Sequence, residues 1–226
     1  AYGKDALGAC STGVNNCAYG VNALLNVTTG NHNVAIGVSA GQSNQTGHSC
    51  TLVGNAAGAN RTANNLTAIG SYACYSSTSA GQNTGLGDNV LYQNQTGNNN
   101  TAVGTNALYA CTSSNNTAMG RYSHMLLTSG SGNTAYGYNA GYHTTTGSNN
   151  VSIAGSSSSA TASAEFTLGG TGISTLRCND TSISSLSDQR DKTDIVDLPI
   201  GLDFLNTLKP RQFKWKTRDG NIKDNR

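Results

Sequence analysis

The sequence predicts an all-β solenoid, a β-roll built from 16-17-residue coils, followed by a β-rich connector and a small α+β C-terminal segment. Three observations carry this reading. A glycine preceded by an apolar residue recurs at Gly3, Gly20, Gly37, Gly54, Gly70, Gly87, Gly104, Gly120 and Gly137, at spacings of 17, 17, 17, 16, 17, 17, 16 and 17. The 226 residues include 28 glycines but only 2 prolines, and just 11% are charged. Before residue 156 the only charged side chains are Lys4, Asp5, Arg61, Asp88 and Arg121, so the chain divides by composition near residue 155.

These numbers also exclude classes. Glycine does not recur every third residue, which rules out collagen, and no apolar run approaches the roughly 20 residues needed to span a bilayer. Without such a run no membrane insertion is expected, and a net charge of +2 points to no polyanionic partner, so no nucleic acid is expected either. The chain opens inside the pattern, at Ala1-Tyr2-Gly3, and reads as a fragment of something longer.

Residues 1–155 form the first region. A period of 16 or 17 is too short for a helical-pair repeat or a propeller blade, but it suits one coil of a β-solenoid stacked about 4.8 Å from the next. Each coil repeats Asn, any residue, small, apolar, Gly, two residues, Ala, as in Asn33-Val34-Ala35-Ile36-Gly37 with Ala40 and Asn100-Thr101-Ala102-Val103-Gly104 with Ala107. The residue before the glycine (Tyr19, Ile36, Val53, Ile69, Leu86, Val103, Met119, Tyr136, Ile153) is the consistently large apolar position and is expected to face the core. The glycine would supply a positive φ or a close backbone approach at the strand end. Alanine three residues later, at Ala6, Ala23, Ala40, Ala57, Ala73, Ala107 and Ala140, marks a second inward or interchain position with room for a methyl group only. Asparagine at Asn16, Asn33, Asn83, Asn100, Asn116, Asn133 and Asn150 should stack as an amide ladder. With one large apolar residue and one alanine per coil, a single chain looks underfilled, and several chains sharing an axis would correct this.

The Asn-x-x-Ala-Ile-Gly-x-x-Ala pattern resembles the head repeats of trimeric autotransporter adhesins and the related repeats of bacteriophage tail fibres. The resemblance covers residues 1 to about 155 and implies a homotrimeric β-roll. Adhesin repeats are usually shorter, so the extra residues should form a longer loop on each coil.

Cys10, Cys17, Cys50, Cys74, Cys111 and Cys178 do not share columns in adjacent coils, and His32, His48, His124 and His143 occupy four different columns. Free, partly buried thiols are expected, with no metal site and no cofactor. Tyrosine is better ordered: Tyr75, Tyr92 and Tyr109 lie five residues after the anchor glycine in three consecutive coils, and Tyr142 takes the same place in a later one. Two readings stay open for this strip, packing against a neighbouring chain and contact with a glycan.

Residues 156–186 pass from a serine run through Phe166-Thr167-Leu168 to Ile173-Ser174-Thr175-Leu176, alternating as short strands would, and read as the connector. In residues 187–226, Asp197 is placed as a helix N-cap with Pro199 in the first turn. Leu198, Leu202, Leu205 and Leu208 follow at helical spacing before Lys209-Pro210 ends the helix. Gln212-Phe213-Lys214-Trp215-Lys216 then alternates as a strand.

The run Ser187-Asp188-Gln189-Arg190-Asp191-Lys192, with Ile195, the leucine helix and Phe213-Lys214-Trp215, resembles the start of the endosialidase-type intramolecular chaperone of phage tail spikes and fibres. That family is self-cleaving. The resemblance implies Ser187 as nucleophile and Lys192 as its base, cutting between Leu186 and Ser187.

Together these resemblances imply the trimeric shaft of a phage tail fibre, assembled in the host cytoplasm and carried in the virion. Its expected partners are two further copies of itself, other tail proteins through a missing N-terminus, and a host cell-surface glycan or protein receptor. The alternative is a bacterial surface adhesin of the trimeric autotransporter type, which should end in a stalk and membrane anchor instead. Glycosidase chemistry is not expected, because Asp5 and Asp88, the only carboxylates of the repeat region, stand five coils apart.

Overall fold

The computed structural model describes residues 1–60, 64–155 and 161–169, together with two strands, Lys214–Lys216 and Ile222–Asn225. The chain divides into two compact units, Ala1–Leu176 and Arg177–Arg226.

The first unit is a parallel β-solenoid. Its ten strands of three residues are β1 (Cys17–Tyr19), β2 (Val34–Ile36), β3 (Thr51–Val53), β4 (Thr67–Ile69), β5 (Thr84–Leu86), β6 (Thr101–Val103), β7 (Thr117–Met119), β8 (Thr134–Tyr136), β9 (Val151–Ile153) and β10 (Phe166–Leu168). They pair in chain order in one sheet, each one coil above the last, and no helix occurs among the described residues. Register follows the repeat: Thr51 pairs with Thr67, then Thr84, Thr101, Thr117 and Thr134, so a 16-residue coil loses its residue outside the strand. The sheet also continues past residue 155, because Thr167 of β10 pairs with Ser152 of β9.

The anchor glycines are required twice over. Those from Gly3 to Gly137 have φ between 121° and 139°, a region essentially closed to other residues. They also touch: a Cβ on Gly20 would lie 2.7 Å from the carbonyl carbon of Gly37, and one on Gly87 would lie 2.7 Å from that of Gly104.

One expectation is reversed. The large apolar residue before each glycine faces outward: Tyr19 is 55% exposed, Ile36 42% and Met119 40%. The buried strand residue is the middle one, Ala18, Ala35, Leu52, Ala68, Gly85, Ala102, Ala118, Ala135 or Ser152. The interior is narrow, and the opposite wall fills it. Four residues after the anchor come Leu24, Cys74, Leu91, Leu108 and His124, and seven after it Val27, Cys111 and Leu127, all fully buried. Where the wall carries glycine at Gly41, neighbouring leucines take the space, so that a Cβ there would lie 2.6 Å from Leu52 Cδ1 and 2.8 Å from Leu24 Cδ2. A single coil is therefore better filled than one apolar residue and one alanine imply.

That opposite wall turns through left-handed residues two and four positions after the anchor, among them Asn22 (φ 58°), Leu24 (φ 50°), Asn89 (φ 50°) and Leu91 (φ 50°). A left-handed leucine costs about 1–2 kcal/mol, and burying its side chain returns about 1.5–3 kcal/mol. The wall is bonded to the next coil as the sheet is, with Leu24 N donating to Ala40 O at 2.9 Å and Gln93 N to Tyr109 O at 3.0 Å.

The asparagine ladder forms, and at Asn33 and Asn133 the side-chain Nδ2 also donates back to Oδ1 of Asn16 and Asn116 in the preceding coil, both at 3.1 Å. Asn83 Oδ1 accepts from Asn100 N at 2.8 Å while Asn83 Nδ2 donates to Gly97 O at 2.8 Å; Asn133 repeats this with Asn150 N and Gly147 O. At Asn83 and Asn133 both groups of the side chain thus bond backbone of the following coil, whereas Asn116 Nδ2 turns to Ser113 Oγ and Ser114 O of its own coil. The expected alanine column is buried at Ala23, Ala40, Ala57, Ala73, Ala107 and Ala140.

In the second unit, β11 (Lys214–Lys216) pairs antiparallel with β12 (Ile222–Asn225), with an irregularity between Trp215 and Lys216. The expected strand is present over 214–216. The expected helix from Asp197 to Leu208, the pair Ser187 and Lys192, and Cys178 lie outside the described residues.

Candidate functional site

Stacking one tyrosine per coil brings Tyr75, Tyr92 and Tyr109 into register. Tyr75 and Tyr92 have ring centroids 5.2 Å apart and planes 8° from parallel; Tyr92 and Tyr109 are 5.3 Å and 4°. Tyr92 is therefore covered on both faces, and the row presents ring edges and phenol hydroxyls rather than open ring faces. Tyr142 does not join this row, because Met125 occupies the column in the coil between, and Tyr142 instead meets His143 edge-on at 5.1 Å.

Beside the row the left-handed turn places Tyr72, Asn89 and Asn106, two residues after their anchors. Tyr72 stands edge-on to Tyr75 at 5.6 Å and 63°. With Tyr92, Tyr109 and Met125 these residues line an open groove of about 460 Å³, and none of the six belongs to a strand. Asn89 Nδ2 donates to Asp88 Oδ2 at 2.8 Å. Desolvation, and then the neighbouring tyrosines 109, 75 and 72, hold the Tyr92 phenol above its usual pKa, so it stays a hydroxyl that can both donate and accept. Sequence reading alone did not single out Tyr72, Asn89 and Asn106, although they recur in one column. Their position beside the tyrosine row follows from turn geometry, which the period does not reveal.

The outward face of the sheet is a second feature. No strand from β1 to β10 carries a charged residue, and the apolar column runs from Tyr19 to Leu168, with Tyr2 stacked on Tyr19 at 5.0 Å. Phe166 and Leu168 extend it at 62% and 50% exposure.

His124 is a third. It is fully buried, neither ring nitrogen has a hydrogen-bond partner, and burial lowers its pKa to about 4. Its imidazole fills the space left by Gly141; a Cβ there would strike the ring and lie 3.2 Å from Ser152 Oγ, itself without a partner. Among the described residues no three His, Cys, Asp or Glu side chains gather to hold a metal. Cys10, Cys17 and Cys111 are free thiols, and Cys50 and Cys74 are buried.

Comparison with known proteins adds one finding for the charged tail. The family model described as chaperone of endosialidase matches residues 187–226. No curated protein and no solved structure matches the chain. The chain thus joins a parallel β-solenoid to a segment similar to that chaperone.

Proposed function

We propose that this chain is the shaft and chaperone segment of a phage tail fibre, homotrimeric through the outward face of its sheet. The observation that carries the reading is the uncharged column of large apolar residues on β1 to β10, exposed or half-exposed in one chain. A contiguous apolar stripe of this length is an aggregation liability unless something covers it, and identical rungs make further copies of the same chain the matching cover. The chaperone match supports three copies, since holding three C-termini together would set a common register before nearly identical coils begin to pair. The fibre would be carried in the virion after assembly in the host cytoplasm, joined to other tail proteins, and its outer surface would meet a host cell-surface glycan or protein.

Light scattering and native mass spectrometry test this. The uncut protein should have three times the chain mass of 23.2 kDa. Val103→Asp, which puts a carboxylate on that face in every copy, should leave smaller species that keep the β-rich circular dichroism. A well-folded monomer of the unaltered protein at micromolar concentration would sink the trimer.

Self-processing is the second part of the proposal. Lys192, if neutral, could take the proton of Ser187 as its hydroxyl attacks the carbonyl carbon of Leu186, and cutting after assembly would trap the fibre kinetically. Expressed from its complete reading frame, the wild type should release a fragment beginning at Ser187. Ser187→Ala and Lys192→Ala should remain uncut yet assemble. Fully assembled but uncut wild type would leave residues 187–226 with a clamping role only.

A further inference from the structure

We propose that the groove between the tyrosine row and the Asn89–Asn106 column binds an uncharged, extended carbohydrate chain lying along the stacking direction. The inference deepens the host-recognition reading and rests on it only for where the carbohydrate comes from, because one chain supplies the whole groove.

The direction follows from the repeat. Equivalent groups recur once per coil on both walls: phenols at Tyr92 and Tyr109, 5.3 Å between ring centroids, and amides at Asn89 and Asn106 opposite them. A ligand that uses both rungs must itself repeat hydrogen-bonding groups along its length. The mode of contact follows from the stacking. Since Tyr92 has no free face, a sugar cannot lie flat on it and must instead meet the row of hydroxyls and ring edges, with Met125 offering apolar contact at one end and the tilted Tyr72 at the other. Phenol and amide side chains both donate and accept, which matches the mixed demands of a polyol.

Charge selects against the other linear polymers. None of the six lining residues is cationic, whereas a nucleic acid would require Lys or Arg for its phosphates. Of the charged side chains in the flanking coils, the Asp88 carboxylate is bonded to the lining Asn89, while the Arg121 guanidinium is turned onto Tyr122, its phenol oxygen accepting at 2.7 Å. An extended peptide would need an open strand edge, and no strand lines the groove.

The test uses the full chain and five probes: cellohexaose, maltohexaose, laminarihexaose and hexa-N-acetylchitohexaose as neutral chains, and a hexagalacturonate as an anionic one. Binding is followed by calorimetry, with light scattering on the same samples. At least one neutral hexasaccharide should bind saturably, and Tyr92→Ser should weaken it about tenfold or more with particle mass unchanged. The hexagalacturonate should bind more weakly than the neutral chain. Absence of saturable binding by all four neutral probes would overturn the proposal, as would unchanged binding in Tyr92→Ser or a preference for the anionic probe. A fall in particle mass in Tyr92→Ser would overturn it too, by showing that the tyrosine row is covered by another copy. Particle mass reports the fibre reading separately, so a trimer that ignores sugars and a monomer that binds them lead to different conclusions.

Discussion

Replacing Gly104 by alanine should break the solenoid's stacking at its centre. Gly104 has φ 123°, and a Cβ there would sit 2.6 Å from the carbonyl carbon of Gly120 and 2.9 Å from Arg121 N. Both penalties fall on backbone, which cannot move aside as a side chain can. The dihedral costs about 1–3 kcal/mol and the overlap another 1–3 kcal/mol, so a loss near 4 kcal/mol is expected. In a fold where each coil contacts only its neighbours, that loss uncouples the two halves. Gly81→Ala is the control: its φ is not positive and its nearest contact would be Asn64 O at 3.2 Å, so its effect should stay under about 1 kcal/mol. Urea unfolding followed by circular dichroism measures both. Equal midpoint shifts in the two variants would refute the requirement for glycine at the anchor.

Acid should weaken the solenoid at His124. The unfolded histidine titrates near 6.5 and the folded one near 4, so the native state binds its proton less readily. The stabilisation is fully present above pH about 6.5 and is lost as pH falls towards 4, in total about 3 kcal/mol per chain. Burial is the sole cause of the shift, so no salt dependence should accompany it. His124→Leu isolates the effect. Leucine suits the site, because Leu24 occupies the same column and packs against Gly41 as His124 packs against Gly141. The variant should be more stable than wild type near pH 5 and show a flatter profile down to 4. A wild-type profile that keeps its slope in His124→Leu would assign the acid sensitivity to another group.

Much of this architecture was legible because a solenoid turns sequence position into spatial column. A residue type that recurs every 16 or 17 positions must form a line along the stack, so the asparagine ladder, the alanine column and the tyrosine row could each be named before the fold was seen. The chaperone-like tail was readable for a different reason, its motif. Burial was not readable in the strands. A three-residue strand such as Thr101-Ala102-Val103 alternates once, and whether valine or alanine points inward depends on the width of the interior. Taking the large residue as core was reasonable from one wall alone, but the leucines of the opposite wall had already filled that space, and Val103 faces out.

The sequence by itself therefore determined the repeat, the stacking register and the glycines that permit it, since these depend only on distance along the chain. The tertiary structure alone decided which columns meet around a coil: Leu24 and Leu52 over Gly41, His124 over Gly141, and Asn89 and Asn106 beside the tyrosine row. Those meetings are set by the left-handed residues two and four positions past each anchor, which bend the wall back across the sheet. Asn22 and Asn89 are of a type that tolerates a left-handed turn, but Tyr72, Leu24 and Leu91 are not, so there packing imposed the conformation and, with it, the core and the groove.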